Sequence, residues 1–248
     1  MYRTAICDLD GVIWLSSQVI AGAPEAVHRL RDRNWRVVFV TNNAFVSVTS
    51  IEAKLLAMGI PAVGDVITSA QAAAGLIRSG ERVYMVAGPG AAEEVQRAGG
   101  RLVTDGPVDV VVVGLNPNFD YEVLKKATQA IRRGARFIAT NDDATYPTPD
   151  GPIPGGGAIV AAIETAAGQR ATVAGKPYAP MADLVRRHLG VPTVMIGDRP
   201  DTDGLFAAAL GVPFALVLSG VTTRADLPVT PNPAYVADNL SELIEQLD

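Results

Sequence analysis

The sequence predicts an α/β fold with a parallel sheet and a second, smaller α/β unit. Short apolar runs alternate with helix-like segments along the chain, an order typical of parallel strands joined by helices. A fresh strand–helix series begins after Ser79-Gly80-Glu81, the first candidate boundary. At 248 residues, of which 48% are hydrophobic and 19% charged, the chain can bury the core that this architecture needs.

Charge and composition indicate which partners, covalent cross-links and cellular location to expect. The net charge of −5, without a basic cluster, argues against a nucleic-acid polymer as partner. The single cysteine, Cys7, cannot form an intramolecular disulfide and is expected to be a buried strand residue. The sequence shows no signal-peptide pattern and no apolar run of about 18 residues, so we expect a cytoplasmic protein without membrane association.

The first apolar run ends in two aspartates. Ala5-Ile6-Cys7 predicts a buried strand, Asp8 and Asp10 follow it directly, and Gly11 allows a sharp turn. Carboxylates this close repel each other, which favours a bound cation, a shared proton, or separate nucleophile and acid roles. From this motif alone, a strand-end loop with two solvated acids is the alternative.

Three later predicted strands also end in small polar or charged residues. The second strand runs into Thr41-Asn42-Asn43, and a later one runs into a segment that holds Asp198 and Asp203. A short strand between them leads to Gly175-Lys176-Pro177, which places the lysine in a loop. Because ligands of open α/β sheets bind at the carboxyl ends of the strands, these side chains are expected to lie close together.

The segments between these strands predict a flap and several helices. The mixed apolar and polar segment Val12–Val19 contains Trp14, which is expected to start a flap over the site, and His28 is interpreted as a surface or packing residue. Ser69 is expected to cap a helix over 70–77. The last helix is expected at 241–247.

Two glycine-rich turns raise the question of phosphate binding. Gly88-Pro89-Gly90 is similar to the start of a dinucleotide fingerprint, but Glu93 stands where the third glycine should be, so we reject dinucleotide binding. Gly155-Gly156-Gly157 precedes a predicted helix, and it favours an anion-binding turn and a tight turn equally.

Four motifs of this chain resemble, in residue type and order, those of the haloacid dehalogenase superfamily: Asp8-Leu9-Asp10-Gly11, Thr41-Asn42-Asn43, Gly175-Lys176-Pro177 and the Gly197–Asp203 segment. The extra α/β unit lies between the second and third motifs, as in subfamily IIA with its type II (C2) cap, which includes NagD-like and 4-nitrophenylphosphatase-like phosphatases. The resemblance implies a Rossmann-like, doubly wound parallel-sheet core at 1–79 and 172–248, and an inserted cap domain at 80–171.

The resemblance also implies an activity, the hydrolysis of a phosphate monoester through an aspartyl-phosphate intermediate. Asp8 would attack phosphorus, while Asp10 would protonate the leaving alcohol and later take a proton from water. Mg²⁺ would be held by Asp8, the backbone carbonyl of Asp10, and Asp198. Asp203 would orient the water shell of the metal or the Lys176 ammonium.

A further group of residues is implied to bind the phosphoryl group. The Thr41 hydroxyl and the Asn42 backbone N–H would contact phosphoryl oxygens, while Lys176 would neutralise developing charge and keep Asp8 ionised. The full set of expected phosphate and substrate ligands is Gly11, Thr41, Asn42, Asn43, Asn141 and Lys176. Ala44 stands where many relatives have serine, so a hydroxyl that could touch phosphate or cap the next helix is absent.

In this subfamily the cap closes over the site, and the Asn141–Thr148 loop is the candidate for reading the leaving group. Asp142 and Asp143 would disfavour extra anionic groups if they point inward, and we expect at least one of them to be solvated. A large cap favours a small substrate, such as a sugar phosphate, glycerol phosphate, phosphoglycolate or mononucleotide. The physiological substrate and the assembly state are left open, with a homodimer as one expectation.

Other functions are compatible with parts of this pattern. A dehalogenase would not need an acid at position 10, and a signalling receiver module would have a different order of acidic residues in a shorter chain. A phosphotransferase or phosphomutase of the same superfamily stays open, although the sugar mutases carry a helical cap elsewhere. A non-catalytic phosphate-ligand sensor could keep every residue, and turnover of an aryl phosphate with and without Mg²⁺ would distinguish it.

Overall fold

The structure, a computed structural model, describes residues 3–146, 148 and 151–247. Pro147, inside the predicted Asn141–Thr148 loop, lies outside these residues, as do 149–150 and the chain ends 1–2 and 248. Parallel sheets of six and five strands make up most of the described part, together with two short antiparallel hairpins. Each described helix is too short or too polar to cross a bilayer.

The chain begins with one half of the six-stranded sheet, where apolar runs form strands and amphipathic segments form helices. The elements are β1 (Arg3–Cys7), β2 (Trp14–Leu15), β3 (Gln18–Val19), α1 (Ala23–Asp32), β4 (Trp35–Thr41), α2 (Val48–Ala57), β5 (Val66–Thr68) and α3 (Ser69–Ala74). β2 and β3 form an antiparallel hairpin shortly after Asp10. α1 has a proline in its first turn and basic residues in its last, which suits the helix termini and the helix dipole.

The expected capping of α3 is wrong. Thr68 caps the helix, because its hydroxyl accepts the Gln71 N–H while the Gln71 side chain accepts the Thr68 N–H. Ser69 instead donates its hydroxyl to the Asn42 carbonyl at 2.7 Å, a tertiary contact that the local sequence does not reveal. The helix also ends at Ala74, before the glycine at its C-cap, and does not reach residue 77.

The middle of the chain forms the five-stranded sheet, in the order β12-β9-β8-β6-β7. Its elements are β6 (Arg82–Val86), α4 (Pro89–Arg97), β7 (Arg101–Leu102), β8 (Val110–Val113), α5 (Tyr121–Arg132), β9 (Arg136–Ala139), β10 (Thr145–Tyr146), β11 (Ile153–Pro154), α6 (Gly156–Ala167) and β12 (Thr172–Val173). β10 and β11 pair antiparallel in a separate hairpin. β12 pairs with β9, so this sheet extends two residues beyond the boundary predicted at 171.

The last part of the chain returns to the six-stranded sheet. Its elements are α7 (Ala179–Leu189), β13 (Val194–Gly197), a π-helical turn (Pro200–Gly204), α8 (Leu205–Leu210), β14 (Phe214–Val217), a 3-10 turn (Arg224–Asp226), β15 (Tyr235–Ala237) and α9 (Leu240–Leu243). α9 is shorter than the helix predicted at 241–247.

The strand order of the six-stranded sheet, β15-β14-β13-β1-β4-β5, places β1 at its centre. All its strand pairs are parallel. From β1 the chain first builds the sheet toward β5 and later builds it from β13 toward β15. The carboxyl end of β1 therefore lies where the strand order reverses, the position at which open α/β sheets bind ligands.

Helices cover both faces of this sheet. Ala5 and Cys7 of β1 pack in an apolar cluster that includes residues of α1, α2 and α9, whereas Ile6 packs in a second cluster with residues of α3, α7 and α8. Cys7 is buried, as predicted. The second cluster continues into the five-stranded sheet through Val83 and Ile138. The two sheets therefore share the apolar layer that this second cluster forms. α5 and α6 pack in a third cluster with the five-stranded sheet.

Candidate active site

The carboxyl ends of β1, β4 and β13 meet the segment after β12 at a cavity of about 80 Å³. Eight of the predicted site residues line this cavity: Asp8, Asp10, Thr41, Asn42, Asn43, Asn141, Lys176 and Asp198. The other two predicted residues, Gly11 and Asp203, lie beside carboxylates that line the cavity. The structure thus brings all the predicted residues together.

Lys176 is the buried cation at the centre of the site. Its Nζ lies 2.8 Å from Asp8 Oδ1 and 2.7 Å from Asp203 Oδ1, and the side chain is 1% exposed. Burial alone lowers the pKa of Lys176, but Asp203 and Asp8 more than offset this effect, so its pKa is raised. Burial raises the pKa of Asp8, and Lys176 opposes that rise. The ammonium therefore favours the ionised form of Asp8.

Asp203 has both carboxylate oxygens engaged. Oδ1 accepts the Lys176 ammonium, while Oδ2 accepts the backbone N–H groups of Asp198 at 3.1 Å and Arg199 at 3.2 Å. The carboxylate lies so close to Gly197 that a β-carbon there would overlap it. Asp203 is therefore suited to position Lys176 and the turn after β13, rather than to bind a ligand of its own.

Asp198 offers an oxygen that has no partner. Its Oδ2 accepts the Val221 N–H at 2.6 Å, but Oδ1 is buried and has no hydrogen-bond partner within the described ranges. Burial raises the pKa of Asp198 well above its usual range, and Asp203 and Asp8 raise it further. A buried carboxylate oxygen without a donor needs a cation or a proton.

The chemistry of these donors fits a hard divalent cation. Oxygens of Asp8, Asp198 and Asp203 lie within 4.8 Å of one another. Carboxylate and carbonyl oxygens are the ligands that Mg²⁺ and Ca²⁺ prefer. Since Asp203 is already engaged, Asp8 and Asp198 are the side chains that could hold such an ion.

Two glycines make room for the Asp198 carboxylate. A β-carbon at either Gly11 or Gly220 would overlap it. Gly11 also has φ +85°, in the left-handed region that favours glycine. This close approach is the structural reason for glycine after the two aspartates.

Asp10 stands apart from the three-carboxylate cluster. Its Oδ1 accepts the Trp14 Nε1–H at 3.0 Å and the Tyr146 hydroxyl at 3.4 Å. Burial raises the pKa of Asp10, and Trp14 together with Lys54 opposes the rise. A carboxyl group with a raised pKa can carry a proton at higher pH than free aspartate, as a general acid requires.

The segment after β4 is held in place by its own side chains. The Asn42 side-chain oxygen accepts the Lys176 N–H at 2.7 Å, and its Nδ2 donates to the Lys176 carbonyl at 3.0 Å and to Asp143 at 3.1 Å. Thr41 Oγ1 accepts the Asn43 N–H, and Asn43 Oδ1 accepts the Phe45 N–H. The two asparagine side chains therefore shape this turn, whereas the Thr41 hydroxyl donates to no residue of the described chain and can donate its proton to a ligand.

The predicted leaving-group loop joins the two sheets. Asn141 is buried, and its Nδ2 donates to the Asn42 carbonyl at 2.8 Å. Asp143 lines the cavity, and burial raises its pKa while Arg199 opposes the rise. Asp142 is exposed and accepts the Tyr178 hydroxyl. The expectation that at least one of the two acids is solvated is confirmed by Asp142.

Close packing explains both glycine-rich turns. β-carbons at Gly155 and Gly157 would overlap backbone atoms of the 141–145 loop, and Gly157 donates its N–H to the Asp143 carbonyl at 2.9 Å. β-carbons at Gly88 and Gly90 would likewise overlap Phe45 and Val46. The structure thus favours the tight-turn interpretation of 155–157, and it gives 88–90 a packing role.

Two further residues named from the sequence, Ala44 and His28, make packing and backbone contacts. Ala44 is buried and packs with Ala70 of α3 and Ala91 of α4, in a small apolar cluster that joins the two sheets. Ala44 also lines the cavity, so it places a methyl group where a serine would bring a hydroxyl to the edge of the site. His28 is exposed and hydrogen-bonds the Gly59 carbonyl at 2.8 Å, as expected of a surface or packing residue.

The sequence-based prediction missed several residues of the site. Trp14 is 4% exposed and donates to Asp10, a contact that was not foreseen, and it begins the β2–β3 hairpin within the segment predicted as a flap; the flap itself stays a prediction. Arg199 and Tyr146 line the cavity without having been singled out. The spacing of Trp14 four residues after Asp10 was the one local signal, since the other contacts depend on the tertiary fold.

Comparison with known proteins identifies the family. Residues 5–101 match a family model described as haloacid dehalogenase-like hydrolase, and residues 173–243 match one described as HAD-hydrolase-like. The chain is 40% identical over 251 residues to D-glycerol 3-phosphate phosphatase of Mycobacterium tuberculosis, covering 96% of this chain and 70% of that protein. This chain belongs to the haloacid dehalogenase-like hydrolases.

Other relatives of this haloacid dehalogenase-like hydrolase are phosphatases. It is 34% identical to acid sugar phosphatase of Staphylococcus saprophyticus, over 100% of this chain and 98% of that protein. The p-nitrophenyl phosphatase from Archaeoglobus fulgidus matches at TM-score 0.92 and 32% identity, covering 99% of each chain. A glycerol phosphate phosphatase from M. tuberculosis, crystallised in complex with magnesium, matches at TM-score 0.89 and 36% identity, covering 98% of this chain and 76% of that one.

These comparisons confirm three predictions. The chain is a NagD-like member of the superfamily, its fold is α/β with a Rossmann-like core, and it is a hydrolase of phosphate monoesters. The roles of the individual residues, the domain boundaries and the substrate stay predictions.

Proposed function

We propose that this hydrolase is a Mg²⁺-dependent phosphatase that cleaves a small phosphate monoester, with Asp8 as the nucleophile. The observation that carries the proposal is the environment of Asp8. Its carboxylate lies 2.8 Å from the Lys176 ammonium and beside the carboxylate of Asp198, which has an unpartnered oxygen. This arrangement keeps an anionic nucleophile ionised and leaves an oxygen donor free for a cation.

The first step would transfer the phosphoryl group to Asp8. A carboxylate oxygen of Asp8 forms a bond to phosphorus while the bond between phosphorus and the ester oxygen breaks. Asp10 gives its proton to the leaving oxygen, so the first product departs as an alcohol. The raised pKa of Asp10, which burial causes, supports its role as the proton donor.

The second step would release inorganic phosphate. Water attacks phosphorus, its proton passes to the Asp10 carboxylate, and the bond between phosphorus and Asp8 breaks. Asp8 is again a carboxylate and Asp10 is again protonated, so the pair is ready for another turnover.

The remaining site residues would bind and orient. Asp8, Asp198 and the backbone carbonyl of Asp10 would hold Mg²⁺, which when bound supplies positive charge against an anionic phosphate. The Thr41 hydroxyl, the Asn42 backbone N–H and the Lys176 ammonium would contact phosphoryl oxygens. Gly11, Asn43 and Asn141 would contribute through the shape of the loops around the phosphate.

The substrate would be a small ester with a neutral, hydroxyl-bearing leaving group. The cavity measures about 80 Å³, and both Asp143 and Arg199 line it. Such a pair suits hydroxyl groups, which donate to a carboxylate and accept from a guanidinium. Glycerol phosphate or a small sugar phosphate fits this description better than phosphoglycolate or a mononucleotide. The names of the relatives from Mycobacterium and Staphylococcus agree with that choice.

Residues 80–171 would form a cap that covers the site. The contacts of Asn42 with Asn141 and Asp143 support this assignment, because they join the site to the loop that follows β9. A cytoplasmic location and a homodimer belong to the same proposal, and the predictions of no nucleic-acid polymer and no membrane partner are retained.

Phosphate release from a panel of esters tests the proposal. The panel contains glycerol 3-phosphate, a small sugar phosphate, phosphoglycolate, a mononucleotide and 4-nitrophenyl phosphate, each with Mg²⁺ and with chelator. We expect Mg²⁺-dependent release, with the polyol esters preferred among the alkyl phosphates. Asp8→Asn should abolish release because the amide is a poor nucleophile.

Asp142→Asn provides the matched control, since Asp142 is exposed and accepts only the Tyr178 hydroxyl among the described contacts. We expect it to retain near-normal activity. Near-normal activity of Asp8→Asn would sink the assignment of the nucleophile. A folded protein that binds Mg²⁺ but releases phosphate from none of the esters would be a phosphate-ligand sensor.

A further inference from the structure

The environment of Asp10 distinguishes its two carboxyl oxygens. Oδ1 accepts hydrogen bonds from Trp14 Nε1 at 3.0 Å and from the Tyr146 hydroxyl at 3.4 Å. Oδ2 accepts no hydrogen bond from residues 3–146, 148 or 151–247. The indole N–H can only donate, so Oδ1 must act as an acceptor in this contact. Two donors to Oδ1 favour a proton on Oδ2, the oxygen without a donor among these residues.

The ring of Trp14 is fixed from several sides. The side chain is 4% exposed and belongs to the apolar cluster that holds β1 against α1 and α2. Lys54 of α2 places its Nζ 3.7 Å from the centre of the indole ring and donates to the Ser16 carbonyl at 2.7 Å. A cation over an indole face is attracted by the ring electrons. Lys54 thus ties together the ring of Trp14 and the turn of the β2–β3 hairpin.

Trp14 and Tyr146 come from different parts of the fold. Trp14 lies on β2, which follows β1 of the six-stranded sheet along the chain, whereas Tyr146 lies on β10, which follows β9 of the five-stranded sheet. The carboxyl group of Asp10 is therefore held by one donor from its own loop and by a longer, weaker hydrogen bond from a residue 136 positions away in the chain. The nearer donor, Trp14, is the one that sets the rotation of the carboxyl group.

We propose that Trp14 is a positioning residue for Asp10, held in place by Lys54, and that it directs the protonated oxygen of Asp10 toward the leaving group. The inference rests on the proposed phosphatase function. Trp14 does not touch the substrate in this scheme, and its effect passes through the orientation of Asp10. The cost of its loss should therefore depend on how much the leaving group needs a proton.

Trp14→Phe tests this inference, because phenylalanine keeps an aromatic ring and removes the N–H donor. The quantity to measure is kcat/KM, for 4-nitrophenyl phosphate and for the best alkyl ester of the panel. An alkoxide must be protonated as it leaves, whereas 4-nitrophenolate departs readily as an anion. Since kcat/KM reports the steps up to release of the first product, the later hydrolysis of the phosphoenzyme, common to both esters, does not enter the comparison.

We expect Trp14→Phe to lower kcat/KM by about 10- to 100-fold for the alkyl ester and by less than about 3-fold for the aryl ester. Trp35→Phe is the matched control. Trp35 is the other tryptophan of the chain, is 5% exposed at the start of β4, and has Arg3 over its ring. Trp35→Phe should change the kcat/KM values of the two esters only slightly and to the same extent.

Equal losses for the two esters, or no loss for either, would overturn the role of Trp14 while leaving the proposed phosphatase intact. A wild-type protein that turns over neither ester would overturn both. If Trp14→Phe fails to fold, Lys54→Met decides. It removes the cation from the indole face but keeps an apolar stem. We expect a smaller loss of kcat/KM than for Trp14→Phe, again greater for the alkyl ester than for the aryl ester. An equal effect of Lys54→Met on both esters would count against the inference.

Discussion

Asp198 shows how single residues shape this site. One of its oxygens accepts the Val221 N–H, and the other is buried without a partner in the described part of the chain. Gly11 and Gly220 flank the carboxylate and leave no room for a side chain. The Val221 hydrogen bond and the two glycines fix the orientation of this carboxylate. Its free oxygen is therefore best satisfied by a cation.

Asp198→Asn should weaken Mg²⁺ binding by about 10- to 100-fold, because the variant loses a charged ligand. Isothermal titration with Mg²⁺ measures this directly, without reference to turnover. Asp201→Asn is the control. Asp201 is in the same turn, but its side chain is 73% exposed, and we expect unchanged binding. Equal affinity in Asp198→Asn and the wild type would remove Asp198 from the metal site.

The sequence predicted the charged residues of the site but not the residues that hold them in position. Asp8, Lys176 and Asp198 follow apolar strands, and their chemistry is recognisable from residue type and order. Tyr146 contacts Asp10 across 136 positions of the chain, a contact that no local pattern encodes. Contacts of this kind depend on how the helices and strands pack together.

At the scale of elements, the start of α4 packs against the loop after β4. Gly90 donates its N–H to the Phe45 carbonyl at 2.9 Å, and a β-carbon at Gly90 would overlap the Val46 carbonyl. Ala44 and Ala91 pack together beside this contact. The glycine therefore allows a helix next to the five-stranded sheet to approach a loop of the active site.

Gly90→Ala should separate these elements, since the overlap is with backbone atoms that cannot rotate away. We expect a loss of about 1–3 kcal/mol in the free energy of unfolding, measured by urea denaturation, and a lower kcat/KM. Gly75→Ala is the control, because Gly75 has helical backbone angles and a β-carbon there meets only ordinary contacts of 3.4 Å or more. Its stability should be unchanged or slightly higher. Equal stability of the two variants would contradict the packing role of Gly90.

Long elements could be predicted from the sequence, whereas the two short hairpins could not. β1, β4 and α5 coincide closely with apolar or amphipathic runs. The hairpins β2–β3 and β10–β11 have strands of two residues each, too short to show a period. The capping of α3 by Thr68 was missed because Ser69, its neighbour, has an equally suitable hydroxyl.

For the whole molecule, buried carboxyl groups link stability to pH. Burial raises the pKa values of Asp8, Asp10, Asp143 and Asp198, and it raises the pKa of Asp203 from 3.8 to about 6. A carboxyl group with a raised pKa in the folded state binds protons more tightly there than in the unfolded chain. The free energy of unfolding of the metal-free protein should therefore fall as pH rises from about 4 to about 6.

Mg²⁺ should reverse this trend, because the cation binds ionised carboxylates of the folded protein. At a concentration about 100 times its Kd, we expect Tm to rise by roughly 5–10 °C at about pH 7.5, and by less at about pH 5. Thermal unfolding at both pH values, with Mg²⁺ and with chelator, measures the difference. A shift of the same size at both pH values, or a full shift in Asp198→Asn, would contradict the linkage.

The central position of β1 has a consequence for how the protein is made. Ala5 pairs with Val194, so β1 has one of its two neighbours only after most of the chain has left the ribosome. All strands of the five-stranded sheet come from one continuous stretch, Arg82 to Val173, and are synthesised before β13. Local contacts form faster than distant ones. We expect the five-stranded sheet to fold first on the nascent chain, whereas the site at Asp8 and Asp10, which follow β1, is complete only after the last quarter of the protein has been synthesised.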